Sequence, residues 1–157
     1  MELSERKPNR LSDYDYNQNN AYFITICTQD RRKILSSIVG DDAHIVPKSY
    51  GIVAEKYIRN VPEIEKYVIM PDHIHMNIRL GNGSMWASTP TDAKPQHSRI
   101  SNIVRSIKVL VAKEIGKPIF QRSYYDHVIR NQQDYNEVWE YIENNPRKWV
   151  MQKQGYE

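Results

Sequence analysis

The chain has 157 residues, 39% of them hydrophobic and 26% charged, which is the size and balance of one globular domain with a single core. No uncharged apolar run approaches the ~18 residues that cross a bilayer, and the charged amino terminus lacks the apolar stretch of a secretory signal, so we expect a cytoplasmic protein without a membrane partner. The single cysteine, Cys27, excludes an intramolecular disulfide framework and a zinc site built from paired cysteines.

Apolar patterning predicts the first elements. Residues 1–20 are polar and predict an irregular arm. Residues 21–28, AYFITICT, are rich in β-branched and aromatic side chains and predict a strand with Ile24 and Ile26 facing the core. A short strand near residues 44–47 and a helix over 50–61 follow, the helix indicated by apolar residues at helical spacing.

Two strand-like stretches flank Pro71, which cannot donate a hydrogen bond to a sheet ladder and therefore marks an edge, a bulge or a tight break. They are residues 66–70 and 72–80. Residues 81–98 collect Gly, Ser, Thr and Pro and predict a loop.

The carboxyl-terminal half shows helical periodicity twice. An apolar stripe over residues 98–115 predicts a helix that ends at Gly116. Residues 119–130 predict a strand or an extended segment. A last helix is expected to begin at Asp134 as its N-cap and to end at Pro146.

Positive charge is concentrated in residues 99–130, which carry seven basic and two acidic side chains, whereas residues 1–98 carry twelve of each. A basic segment that contains tyrosines can hold a phosphate backbone and stack unpaired bases. The alternative is an ordinary solvated helix face. The candidate DNA-binding residues are Arg99, Arg105, Lys108, Lys113, Arg122, Tyr124, Tyr125 and Arg130.

His73 and His75 are two residues apart, so on a strand both imidazoles project from one face. That arrangement offers two nitrogen ligands to a metal and leaves positions for oxygen donors. With one cysteine in the chain, a divalent ion such as Mn²⁺ or Mg²⁺ fits better than structural zinc. By itself the pattern also fits two half-exposed histidines on a sheet.

Tyr141 and Asn145 are one helical turn apart and therefore share a helix face. A tyrosine is a useful nucleophile on a phosphodiester because the phosphotyrosine ester conserves the bond energy, and a metal can polarise the phosphate. Tyr124, Tyr125 and Tyr135 are rival nucleophiles. Only the Asn145 partner, which could share the metal, favours Tyr141.

Three stretches together resemble the IS200-like transposase family, in particular the REP-associated tyrosine transposases. They are YVIMPDHIHMNI (67–78), the long QRSYYDHVIRNQQDYNEVWEYIENNPRKW (121–149), and residues 6–28 at the amino terminus. The resemblance covers nearly the whole chain and implies one domain over residues 1–157. The implied fold is a ferredoxin-like α+β sandwich, with helices packed on an antiparallel sheet.

The resemblance further implies a single-strand DNA endonuclease and strand transferase that acts beside DNA hairpins such as REP elements. His73 and His75 match the family's metal-binding histidines, and Tyr141 matches its nucleophile, which forms a 5′-phosphotyrosine intermediate. Asn145 stands where relatives often carry Gln as a further metal ligand. The implied cofactor is Mg²⁺ or Mn²⁺.

Two positions depart from the family pattern, since many relatives have Asn where this chain has Asp72 and Trp where it has Phe120. Two other functions stay open: a protein that binds DNA or RNA hairpins without cutting them, and a hydrolase that uses a metal-bound water. The resemblance is compatible with a monomer and with a homodimer whose protomers exchange the tyrosine helix.

Overall fold

The computed structural model describes residues 21–81 and 99–153, so the predicted arm (1–20) and all of the predicted loop (81–98) except Gly81 lie outside the described residues. Within these two stretches, none of the helices combines the length and the apolar character needed to cross a bilayer. The elements in chain order are β1 (Ala21–Cys27), a 3₁₀ turn (Gln29–Arg31), β2 (Ser36–Val39), β3 (His44–Pro47), α1 (Ser49–Arg59), β4 (Ile64–Ile69), β5 (His73–Arg79), α2 (Arg99–Ile115), β6 (Tyr125–Ile129) and α3 (Gln132–Lys153).

The main sheet has the strand order β4-β5-β1-β6, and every neighbouring pair is antiparallel. Because α1 lies between β1 and β4 in the chain and α2 lies between β5 and β6, the connectivity is the β-α-β-β-α-β order of ferredoxin-like folds. The β2–β3 hairpin is a separate two-stranded sheet inserted before α1. The predicted α+β class with an antiparallel sheet is confirmed.

The two faces of this sheet carry different side chains, because successive residues of a strand point to opposite sides. Tyr22, Ile24 and Ile26 of β1 are fully buried in the larger apolar cluster with side chains of α1 and α2, as predicted for the two isoleucines. The other face lies toward α3, which contributes Val138 and Ile142 to a second, smaller cluster. The face toward α3 also holds the polar residues described below.

The predicted ends of several elements are confirmed within one or two residues. α2 ends at Gly116, which has a φ of 97° and donates its N–H to the Ala112 carbonyl at 2.8 Å, a helix end that favours glycine. In the extended stretch 119–130, residues 125–129 form β6, and Phe120 forms an isolated bridge with Thr28 at the end of β1.

The last helix begins two residues before Asp134, near the predicted start, but the predicted N-cap is wrong. α3 begins at Gln132, and Asn131 is its cap, since Asn131 Oδ1 accepts the backbone N–H of Asp134 at 2.8 Å. Asp134 is therefore in the first turn, where its carboxylate accepts the Arg130 N–H at 3.2 Å. A carboxylate in the first helical turn can accept a backbone N–H in this way, which explains why Asp134 resembled an N-cap.

The predicted end of that helix is also wrong, because α3 continues through Pro146 to Lys153. Proline cannot donate to the carbonyl of Ile142, and an interior proline costs about 3 kcal/mol. The residues beyond it stay helical because Trp149 packs against the smaller apolar cluster and lies 6.2 Å from the His73 ring. These tertiary contacts offset the local cost.

Candidate active site and nucleic-acid interface

His73 and His75 lie side by side on the sheet face that α3 covers. Their ring centroids are 4.5 Å apart at an interplanar angle of 69°, and both residues are buried. The register of β5 against β1 places them opposite Cys27 and Thr25, respectively. The strand geometry thus brings two imidazoles to one point, the arrangement that the spacing predicts.

Each imidazole is held through Nδ1. His73 Nδ1 donates to Asp72 Oδ1 at 2.6 Å, and Asp72 Oδ2 lies 3.3 Å from Arg31 Nε. His75 Nδ1 lies 2.8 Å from Thr25 Oγ1. A carboxylate or hydroxyl on Nδ1 fixes the orientation of the ring and leaves Nε2 for another partner, as in histidines that bind metals.

Burial lowers the pKa of both histidines, because a buried imidazolium loses its hydration. For His73 the Asp72 carboxylate opposes this effect. For His75 burial is the largest cause and the neighbouring His73 adds to it, so that the pKa falls to about 3. Both rings are therefore neutral at neutral pH, which is the form that ligates a metal.

Tyr141 and Asn145 reach the same histidines from α3. Asn145 is buried close to His73, and its amide acts to raise the pKa of that imidazole, against the larger effect of burial. The Tyr141 ring meets the His75 ring at 5.4 Å and an angle of 66°, and it meets Phe23 edge-on at 5.7 Å. Tyr141 nevertheless remains 42% exposed, so a substrate can approach its phenol.

Two of the rival tyrosines have hydroxyls that are engaged elsewhere. Tyr135 donates a short hydrogen bond to the Glu65 carboxylate. Tyr124 is buried, and its hydroxyl is 2.8 Å from Ser101 Oγ. By comparison, Tyr141 packs directly against His75.

Tyr125 is the third rival and is exposed. It pairs with Thr25 in β1, and Thr25 pairs in turn with His75 in β5, so Tyr125 lies on the same sheet face but two strands from His75. Tyr141 is thus the tyrosine in ring contact with the histidine pair, and Tyr125 is a neighbour on the same face.

The donors at this site suit a divalent metal. They are the neutral imidazoles of His73 and His75 and the amide of Asn145, next to each other on one face. Across residues 21–81 and 99–153, no group of three or more His, Cys, Asp or Glu side chains is arranged to hold an ion. Burial raises the pKa of the Cys27 thiol, which disfavours the thiolate that soft metals require.

The basic residues of the 99–130 segment differ in how far they are available. Lys108 donates to the carbonyls of Gln121, Arg122 and Ser123 at 2.8, 3.3 and 3.1 Å, so its ammonium already fastens that segment to α2. Tyr124 is buried. The other candidates are exposed: Arg99, Arg105, Lys113, Arg122, Tyr125 and Arg130.

A groove of about 520 Å³ runs between α2 and the segment before β6, with Arg105, Lys108 and Arg122 among its lining residues. α2 packs on the sheet face opposite the histidines. The segment nevertheless reaches the histidine end of the sheet, because the Gln121 N–H donates to the Cys27 carbonyl at 2.8 Å. The groove and the histidine pair therefore meet at one end of β1, from opposite faces.

Three residues without a predicted role surround the histidines. Asp72 precedes His73 in the chain, so its hydrogen bond could have been inferred from adjacency. Thr25 and Phe23 contact His75 only because β1 pairs with β5 in this register. An alternating pattern shows which face of the sheet a residue lies on, but it does not show which residue about 50 positions away pairs with it. The sequence therefore contains no indication that Thr25 and Phe23 contact His75.

Comparison with known proteins identifies relatives of this chain. A family model described as transposase IS200 like matches residues 16–145. An uncharacterised protein of Haemophilus influenzae is 29% identical over 166 aligned positions, 94% of this chain and 91% of that protein. A REP-associated tyrosine transposase of Escherichia coli is 27% identical over 151 positions, 90% of this chain and 78% of that protein.

One solved structure is similar in both fold and sequence. It is a REP-associated tyrosine transposase bound to a REP hairpin, with a TM-score of 0.57 and 27% identity, over 88% of this chain and 74% of that one. The likeness spans both described stretches of the chain.

Proposed function

Because the chain belongs to the IS200-like transposase family, we propose that it nicks and rejoins single-stranded DNA beside a hairpin, with Tyr141 as the nucleophile. The single observation that carries this proposal is the contact of the exposed Tyr141 ring with the His75 ring. The exposed Tyr141 ring lies beside two buried, neutral imidazoles and near a buried amide, an arrangement that would suit phosphoryl transfer.

In the first step, the Tyr141 phenol gives its proton to water and its oxygen attacks the scissile phosphorus. The bond to the 3′ oxygen breaks and that oxygen takes up a proton from water, which leaves a 3′-hydroxyl on one DNA fragment and a 5′-phosphotyrosine on the other. In the reverse direction, a DNA 3′-hydroxyl attacks the phosphotyrosine and regenerates both the phosphodiester and the phenol. No bond energy is lost, so the protein can join ends as well as cut.

The surrounding residues orient this chemistry. Asp72 and Thr25 fix the two imidazole rings through Nδ1. His73, His75 and Asn145 would hold a divalent ion, Mg²⁺ or Mn²⁺, which as a Lewis acid withdraws charge from the phosphate.

Lys148 Nζ lies 5.3 Å from the centre of the Tyr141 ring. Its positive charge can therefore pair with a phosphate oxygen presented to that ring.

The proposed DNA partner is a hairpin with a flanking single strand, held by the exposed basic residues of α2 and by Arg122 and Arg130. Two observations support it: the basic groove meets the histidine end of the sheet, and the similar solved transposase is bound to a REP hairpin. Phosphate contacts of this kind position the strand without reading its sequence.

The proposal is tested with a hairpin oligonucleotide whose flanking strand is labelled at its 3′ end, because a 5′-phosphotyrosine keeps the 3′ fragment on the protein. With Mn²⁺, the wild type should give a labelled adduct on a denaturing gel. Tyr141→Phe should abolish the adduct, and the matched control Tyr125→Phe should retain it. Equal adduct from Tyr141→Phe would overturn the assignment.

Two other results would identify a different activity. Cleavage by Tyr141→Phe without a protein-linked product would indicate a hydrolase that uses water. Tight hairpin binding without adduct or cleavage under any divalent ion would indicate a protein that acts by occupying the hairpin.

A further inference from the structure

A second cavity, of about 470 Å³, shares no lining residue with the α2 groove. It lies between the β2–β3 hairpin and the last turns of α3. Its volume is within the range of sites that hold a small molecule or one unit of a polymer. It is lined by Lys33, Ser36, Ser37, Ile38, Gly40, Asp41, Lys48, Pro71, Trp149 and Val150.

Trp149 connects this cavity to the candidate active site. Its indole lines the cavity, and its ring centroid lies 6.2 Å from that of His73. Nucleotides follow one another at about 3.4 Å along a stacked strand and farther apart in an extended one. A strand whose phosphate lies at the histidines therefore places a base in this cavity within one or two nucleotides.

The lining combines an aromatic side chain with two lysines. Lys33 Nζ lies 5.8 Å from the Trp149 ring centre, and Lys48 Nζ donates to the Lys33 backbone carbonyl at 2.8 Å. Lys33 is exposed and its flexible chain can move from the ring to a phosphate. Asp41 makes the lining mixed in charge, which suits the donors and acceptors of a neutral base edge better than a second phosphate.

We propose that this cavity binds one unpaired base of the single-stranded DNA next to the scissile phosphate, with Trp149 stacking on the base and Lys33 contacting its phosphate. The proposal rests on the proposed function for its DNA partner and extends it with a base-binding site. Aromatic stacking on an unpaired base and a lysine on its phosphate are the usual elements of single-strand recognition. Occupation of the cavity would fix which phosphate reaches Tyr141.

The test measures binding rather than cleavage, in EDTA, by fluorescence anisotropy of a labelled hairpin with single-stranded flanks. A series of probes carries one abasic position each along the flank. For the wild type, one position should weaken binding about ten-fold, the loss of one stacked base. Trp149→Ala should bind the intact probe about ten-fold more weakly and lose nothing further at that position.

Trp139→Ala is the matched control. Trp139 is on the same helix as Trp149, but its ring stacks on Tyr135 and is covered by Lys66 Nζ. It should keep the wild-type abasic pattern. If Trp149→Ala does not fold, Trp149→Phe keeps a smaller stacking surface and should show a reduced abasic effect at the same position. Lys33→Ala should lower the slope of log Kd against log salt by about 0.7, the value for one single-strand phosphate contact.

The proposal is overturned if no abasic position weakens wild-type binding, or if Trp149→Ala and Trp149→Phe respond to every position as the wild type does. If either of these binding results were found while the wild type still formed an adduct with Mn²⁺, the proposed function would remain supported and only the base-binding site would be contradicted. The converse result is one abasic position that weakens wild-type binding but not the binding of Trp149→Ala, while the wild type forms no adduct. That result would support the base-binding cavity and contradict the proposed cleavage.

Discussion

Asp72 Oδ1 accepts a 2.6 Å hydrogen bond from His73 Nδ1 although the two residues are adjacent in the chain. The other carboxylate oxygen faces Arg31 Nε at 3.3 Å, so Asp72 links a guanidinium to the imidazole. Both partners keep the carboxylate in place, and the carboxylate in turn fixes the ring. A histidine oriented in this way presents Nε2 in a single direction, which pre-organises a metal site.

The first prediction concerns this link. Asp72→Ala should weaken Mn²⁺ binding by about 10- to 100-fold, because the imidazole loses the partner that orients it and raises its basicity. Asp72→Asn should lose less, since the amide oxygen still accepts the Nδ1–H. Titration calorimetry measures both affinities. Asp30→Ala removes an exposed acid nearby and serves as control; an equal loss there would show that only net charge matters.

The second prediction separates a structural lysine from a DNA-binding arginine. Lys108→Met removes three hydrogen bonds to loop carbonyls and should lower the free energy of unfolding by about 1–3 kcal/mol. Arg105→Met, at an exposed position, should change it by less than about 0.5 kcal/mol but weaken hairpin binding. Urea unfolding and binding titrations measure the two effects. The reverse pattern would contradict the roles assigned here.

The third prediction is a pH dependence of the metal-free protein. The pKa of His75 is lowered from 6.5 to about 3 in the fold, so the unfolded chain binds a proton at this residue that the folded chain rejects. The contribution of His75 to the free energy of unfolding is therefore fully present above pH 6.5. It falls as the pH drops toward 3, by about 1–2 kcal/mol between pH 7 and pH 5.

Urea unfolding in a chelator at pH 5, 6, 7 and 8 measures this dependence. His75→Gln should reduce the pH slope, with the remainder due partly to His73, whose pKa is also lowered. His44→Gln, at an exposed position of β3, is the matched substitution for comparison. A full slope in His75→Gln would exclude His75 as its source.

The fourth prediction concerns the close approach of α1 to the segment before β2. A Cβ at Gly51 would lie 2.0 Å from the Leu35 carbonyl oxygen and 3.0 Å from its carbon, both backbone atoms. Gly51→Ala should therefore destabilise the fold by about 3 kcal/mol or more, since the helix must shift. Gly116→Ala, with open space but a positive φ, should cost only about 1–2 kcal/mol. Equal melting temperatures for the two variants would contradict this contrast.

The sequence predicts those elements whose signal is local. The alternation in β1 and the apolar stripe in α2 are set by side chains within the element, and their bounds match the structure. The end of α3 was mispredicted because the cost of Pro146 is local, whereas the packing of Trp149 that offsets it is tertiary. β2 was not predicted, since its four residues show no clear alternation and pair only with β3.

In the candidate site, too, the sequence predicts what is local and misses what depends on tertiary packing. The shared face of His73 and His75 follows from strand geometry, and the shared face of Tyr141 and Asn145 follows from helix geometry. The contact between these two pairs depends on how α3 docks on the sheet, where Phe23 packs against both His75 and Tyr141. No spacing in the sequence contains that docking, so the sequence linked the two pairs only through the chemistry of a shared metal and through the family resemblance.

Because β1 lies in the middle of the main sheet, mutations on its two faces should have different consequences. In β1, residues 22, 24 and 26 support the larger apolar cluster, whereas residues 23, 25 and 27 line the side that holds the histidines. In a library of single substitutions along β1, damage should therefore alternate with a period of two. Even positions should reduce the yield of folded protein, and odd positions should reduce metal binding and adduct formation in protein that still folds.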